Sequence, residues 1–159
     1  MSKRRVRLKA GDVFEIPLSD GRKACGQYVF ADPKWGPMIQ VFDLITEQRI
    51  RVEQLRTARP LFRPVITGLR AAVREGYWNI IGHLSVEGFT YPKFISPLID
   101  HKTETLRTWY LWDGKEFLQL GRKLPEEIRH LEQLVVWDPH DVTHRIETGE
   151  NPLDYRLDL

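Results

Sequence analysis

The stretch GDVFEIPLSDGRKACGQYVFADPKWGPMIQVFD, residues 11–43, carries the alternation and the turn signals that decide the fold. It divides into three extended segments. In the first, Phe14, Ile16 and Leu18 recur at every second position and therefore share one face of a strand. Ser19-Asp20-Gly21-Arg22 supplies a turn, with glycine where a positive φ is cheapest, and Ala24, Gly26, Tyr28 and Phe30 then share a face of a second strand. Ile39 and Val41 alternate with Gln40 and Phe42 in a third. Between the last two lies Asp32-Pro33-Lys34-Trp35-Gly36-Pro37, whose two prolines and glycine predict a loop that offers Trp35 to whatever lies beside it.

The rest of the chain reads as further short elements. Ile50, Val52 and Leu55 fit a strand or a short helix equally. Residues 60–67 predict an edge strand, because Pro60 and Pro64 cannot donate to a ladder. Leu69, Ala72 and Val73 fall at helical spacing, and Gly76 stands where a helix would end. Trp78, Ile80, Gly82 and Leu84 alternate with Asn79, Ile81, His83 and Ser85, a strand apolar on both faces and so expected at the centre of a sheet. The proline-broken but apolar residues 90–101 predict a packed loop. Trp109 to Leu120 reads as a hairpin with a two-residue type I′ turn at Asp113-Gly114. Leu124-Pro125-Glu126-Glu127 opens a helix with Ile128, Leu131 and Leu134 as its stripe, and a last strand follows over 142–146.

These elements predict an α+β, mostly β fold: a strongly bent antiparallel sheet, or by analogy an SH3-like small barrel, with two short helices. The 159 residues suffice for one core without disulfide or metal. The expected layout is a basic N-terminal arm over 1–10, a single β-rich domain over 11–150 and an acidic tail over 151–159. Hydrophobic residues at 42% and charged residues at 29% exclude disordered and fibrous classes. Cys25 is the single cysteine, which fits a reducing compartment. With no apolar leader and no apolar run of the roughly 18 residues a membrane helix needs, a cytoplasmic protein is expected.

Charge is unevenly spread. Lys3, Arg4, Arg5, Arg7 and Lys9 crowd the first ten residues, and Arg49 to Arg74 holds seven arginines against Glu53 alone. From Pro125 onward the sign reverses, with nine acids against three arginines. A basic face suits phosphate and an acidic one suits a basic partner, while mutual pairing of solvated faces explains both without function.

The chemistry-bearing residues offer little catalysis. Cys25 sits within a strand pattern and far from any helix N-terminus that would activate it, so a packed, inert thiol is expected. His140 and His144 have helical metal-pair spacing, but in a strand they would stand about 13 Å apart, too far to share an ion. Glycine-rich phosphate loops, nucleophile elbows and paired-cysteine motifs are absent, so neither catalytic, metal nor cofactor residues are predicted. Trp78, Trp109 and Trp137 read as core, whereas Trp35 and Trp112 read as partly exposed and suited to anchoring a partner.

Residues 11–22 followed by Gly26-Gln27-Tyr28 resemble the opening of the immunity protein 26 family, antidotes encoded beside bacterial polymorphic toxins. Gly76-Tyr77-Trp78-Asn79-Ile80-Ile81-Gly82 and Tyr110-Leu111-Trp112-Asp113-Gly114 continue the resemblance over most of the chain. It implies an intracellular protein that binds and occludes a cognate toxin domain without catalysis. If that toxin is a nuclease, Trp35, Trp112, Asp138, Asp141, Glu147 and Glu150 are the expected contacts. The alternative is a nucleic-acid-binding small barrel that uses the basic arm and the Arg49 to Arg74 run for phosphates and Trp35 for stacking.

Overall fold

In a computed structural model, which describes residues 7–159, the backbone gathers into two compact units. One comprises the described residues up to Phe89 with Val136–Gly149; the other comprises Thr90–Val135 with Glu150–Leu159. Lys3, Arg4 and Arg5 of the expected basic arm lie outside the described residues. No helix among the described residues is long and apolar enough to cross a membrane.

The first unit is built on the three strands read from residues 11–43: β1 (Asp12–Pro17), β2 (Lys23–Asp32) and β3 (Gly36–Thr46). β2 pairs antiparallel with both neighbours, setting Phe14 opposite Gly26 and Gly26 opposite Val41. The register puts Phe14 over a residue without a side chain. A Cβ on Gly26 would lie 2.6 Å from the ring edge of Phe14, so only glycine admits the ring at that height. Phe14 then stacks on Trp78, with centroids 5.2 Å apart and planes 6° from parallel, and both rings are fully buried. On the opposite side, Val13, Cys25 and Phe42 pack with Ile50 and Leu55 from the chain that follows β3.

β4 (Val65–Thr67), α1 (Leu69–Arg74), β5 (Asn79–His83), β9 (Val136–Trp137) and α2 (Pro139–Thr148) complete this unit. The sheet order is β5-β1-β2-β3-β4-β9, antiparallel except for β4 with β9. It is open, with β5 and β9 outermost, and is not a closed barrel. Register shifts within β1–β5 and β2–β3 mark where strands bend. Two buried amides bind loops to the sheet: Gln27 donates to Leu84 O at 2.7 Å and Gln40 donates to Phe62 O at 2.6 Å.

Several expected elements differ. β5 is an outer strand, not a central one; Ile81 packs toward Cys25 and Phe42 while Ile80 stays exposed, so two apolar faces did not mean two buried ones. β4 is an interior strand confined to three residues, because Pro60 and Pro64 fall outside its ladder. The strand expected over 142–146 is helix α2. Asp138 accepts the N–H of His140 at 2.8 Å, Pro139 occupies the first turn, and Val142 and Ile146 form the buried pair four residues apart.

The second unit holds β6 (Phe94–Asp100), β7 (Thr105–Trp112) and β8 (Phe117–Gly121) as an antiparallel sheet in that order. Residues 90–101, expected as a loop, thus supply a strand; Pro97 is tolerated because β6 is outermost. The helix expected from Pro125 to Leu134 is only a 3-10 turn over Glu126–Ile128. Its continuation lies beside β6 instead: Ile95 donates to Glu132 O and Leu134 donates to Ile95 O, which satisfies backbone groups a helix would have used. Leu124, Ile128 and Leu131 still meet Ile95 and Trp109, joined by Leu157 from the 3-10 turn Asp154–Asp158 of the acidic tail.

The β7–β8 hairpin is present, but its loop is four residues, Asp113 to Glu116, between the paired Trp112 and Phe117. Only Gly114 has a positive φ, at 98°, so the type I′ turn is not the one formed. Asp113 Oδ1 instead accepts from the backbone of Glu116 and Lys115, bonds that hold its carboxyl below the usual range.

The Phe14–Gly26 contact predicts that Gly26→Ala destabilises the chain. In a strand the change would ordinarily help by roughly 0.5–1 kcal/mol through unfolded-state entropy. Here the added methyl meets a ring already fixed against Trp78, and overpacking of this kind costs about 1–3 kcal/mol. A lowered thermal midpoint checks it; an unchanged or raised one contradicts the packing.

Candidate interaction surfaces

Cys25 lies wholly within the sheet, and burial pushes its thiol up to about 12. It is inert at neutral pH. Asp12 and His83 make a carboxylate–imidazole pair, Oδ1 to Nδ1 at 3.1 Å, and Asp12 also accepts the N–H of Lys9. With the carboxylate on that side, Nδ1 carries the proton. The backbone of Gly11 lies against the same ring, since a Cβ there would stand 2.4 Å from Cε1. The pair therefore fixes the entry of β1 against β5.

Helix α2 removes the argument that separated His140 from His144, because residues four apart on a helix stand one turn from each other. His140 instead packs against Tyr77, with ring centroids 4.4 Å apart. Among the described residues, no group of three His, Cys, Asp or Glu is placed to hold a metal ion.

The residues expected to meet a partner fall in four places. Trp35 is half-buried in the closed end of the β2–β3 hairpin, not in an open loop. Asp32 Oδ1 accepts from Lys34 N at 2.9 Å and Trp35 N at 3.1 Å, and Lys34 Nζ stands 5.2 Å from the centre of the Trp35 ring. Trp112 is corrected outright: it is only 4% exposed. Its Nε1 donates to Tyr91 Oη at 2.9 Å and its ring lies 4.6 Å from that of Phe117, so it is a core residue of the second unit. Proximity to a turn had suggested exposure, but strand alternation turns this ring under Tyr91.

Asp138, Asp141 and Glu147 are all exposed on α2 of the first unit, while Glu150 belongs to the second. Each acid on α2 also has a local role. Asp138 caps the helix, Asp141 lies in its positive first turn, and Glu147 accepts the hydroxyl of Ser19. Arg145, the only Lys or Arg in α2, turns inward, its guanidinium 4.0 Å from the centre of the Phe62 ring and 5.3 Å from that of Trp137. The exposed side of α2 is therefore left with three carboxylates and two histidines.

The seven arginines from Arg49 to Arg74 are exposed without exception. They are spread over the chain around the 3-10 turn Val52–Arg56, β4 and α1, and Arg74 pairs with Glu75 at 3.4 Å. The apolar outer strand β8, with Phe117 and Leu118 exposed, was not singled out from the sequence. The signal was present in Phe117-Leu118-Gln119-Leu120, where apolar residues occupy both alternating faces of one short strand.

A family model described as Immunity protein 26 matches residues 9–102, more than half of the chain, from the entry to β1 through β6. No curated protein and no solved structure matches the chain.

Burial of Cys25 predicts a stability loss on the alkaline side. Its folded value is raised from 9.0 to about 12, so between those limits the unfolded chain releases a proton that the folded chain retains. Stability is thus unaffected by this group below pH 9 and falls as pH rises toward 12. Cys25→Ala should flatten that fall in denaturant titrations at stepped pH; an identical slope in both proteins contradicts the assignment.

Proposed function

Because the chain belongs to the immunity protein 26 family, we propose that it is a cytoplasmic antidote that binds a cognate toxin domain, made by the same cell or its kin, and occludes it without catalysis. The family carries an immunity role in toxin systems. The finer reading is supported chiefly by α2, whose exposed side keeps Asp138, Asp141 and Glu147 while Arg145 is drawn onto Phe62 and Trp137. A toxin that acts on nucleic acid presents a basic groove, and an acidic helix is its electrostatic complement. Such an antidote needs a rigid scaffold and complementary charge, and no reactive group. Trp35 is the aromatic available to anchor the contact; Trp112 is not.

A nucleic-acid-binding role is the second reading, favoured by the exposure of Arg49, Arg51, Arg56, Arg59, Arg63, Arg70 and Arg74. Salt separates the two. Phosphate neutralisation makes equilibrium affinity fall steeply with salt, whereas a tight inhibitor loses mainly association rate.

Co-expression with the toxin encoded beside it should restore growth, and the two proteins should co-purify in moderate salt. Within that complex, Asp141→Lys combined with Glu147→Lys should slow association about tenfold at low salt and leave dissociation nearly unchanged. Asp138 is the poorer site to alter, since losing its cap costs helix stability of about 1 kcal/mol. Failure to co-purify, with steeply salt-dependent binding to single-stranded nucleic acid, would replace this reading with the second.

A further inference from the structure

The second unit leaves one sheet edge open. β8 is the outer strand of β6-β7-β8, and its first three residues are exposed, Phe117 by 44% and Leu118 by 60%. The other outer strand is partly covered, since Ile95 exchanges backbone bonds with Glu132 and Leu134. Across β6 and β7, and reaching Phe117 of β8, an apolar groove of about 360 Å³ is lined by Ser96, Pro97, Leu98, Tyr110 and Phe117. Leu98 is 45% exposed there. An uncovered, apolar outer strand presents a row of backbone donors and acceptors to any extended chain that reaches it.

Charge selects the occupant. Lys115 precedes β8, Arg122 and Lys123 follow it, and Glu116 is the only acid in between. All three cations are exposed; Lys115 acts electrostatically on Asp113, while neither Arg122 nor Lys123 forms an ion pair among the described residues, whereas Lys23, Arg107 and Arg129 each have a carboxylate. A second copy of this chain would bring the same surplus of positive charge against the edge. A segment with carboxylates at its ends would neutralise it.

We infer that β8 is a docking edge for an extended, apolar segment of a partner protein flanked by acidic residues, which adds to the sheet as a fourth strand. Backbone bonds along Phe117–Gly121 supply the attachment, and alternate side chains of the segment lie beside the exposed Phe117 on one face and Leu118 on the other. At roughly 3.3 Å per residue the strand Phe117–Gly121 spans about 13 Å, and a segment of some nine residues covers it with two residues at each end to carry the acids. This edge is independent of α2 and stands whether or not the partner is a toxin.

The test uses two acetylated nine-residue peptides, Asp-Glu-Val-Thr-Val-Thr-Val-Glu-Asp and the same sequence with lysine at every acidic position. Each is titrated into the full chain at low salt and followed by backbone amide resonances and hydrogen exchange. The acidic peptide should bind saturably and about tenfold or more tightly than the basic one, with shifts and slowed exchange confined to β8 and the residues that flank it. In the variant K115E/R122E/K123E, whose changes are all on exposed side chains, the preference should reverse while the spectrum stays folded. Equal affinity for both peptides, perturbations away from β8, absence of saturable binding, or a concentration-dependent dimer that protects β8 would each overturn the inference.

Discussion

The first unit depends on one close approach, the ring of Phe14 seated on the bare backbone of Gly26 and stacked on Trp78. The antiparallel register of β1 and β2 is fixed by it, since a one-residue slip would place Cys25 or Gln27 under the ring and turn Val13 to the other side. Trp78 passes the constraint on. Its Nε1 donates to Thr143 Oγ1 at 3.3 Å, so the helix with the exposed acids is referred to the same aromatic stack that orders the sheet. Removing either ring would leave a cavity in a site with no room to collapse, a loss of about 3–5 kcal/mol.

Strict alternation from Phe14 to Val41 and well-placed turn residues made β1, β2 and β3 legible, because a period of two has a single structural meaning there. The errors arose where two signals competed. Val142 to Ile146 contains three β-branched residues, Val142, Thr143 and Ile146, yet Asp138-Pro139 is also a cap with proline at the first helical position, and the cap decided the outcome. Ile128, Leu131 and Leu134 have helical spacing, but Ile95 of β6 took the backbone of Glu132 and Leu134 as partners instead. Long-range pairing of that kind leaves no local trace in sequence. β5 was misplaced for a different reason: its apolar outer face is only partly covered, and exposure cannot be read from composition.

Charge was legible as a sequence property, and its arrangement was not. The acidic stretch from Pro125 onward was evident, but the sequence had no means of showing that Arg145 would leave the surface for Phe62 and Trp137, or that Glu147 would receive Ser19 from a distant turn. The same holds for the aromatics. Trp112, expected to be partly exposed, is buried and bonded to Tyr91, while Phe117 and Leu118, five and six residues further along the same hairpin, take the exposed positions. The proposed occlusion asks for shape and charge held by a stiff core; the buried Cys25 and the Asp12–His83 pair at the entry of β1 belong to that core and its edge.

Stoichiometry tests that account most directly. Residual toxin activity should be measured against increasing amounts of the purified chain, with the toxin domain held well above the dissociation constant of the complex. Occlusion predicts a straight decline that reaches zero at one chain per toxin. Complete loss of activity at a small fraction of that ratio would mean that the chain turns over its target, and activity that persists at a large excess would mean that it does not bind it.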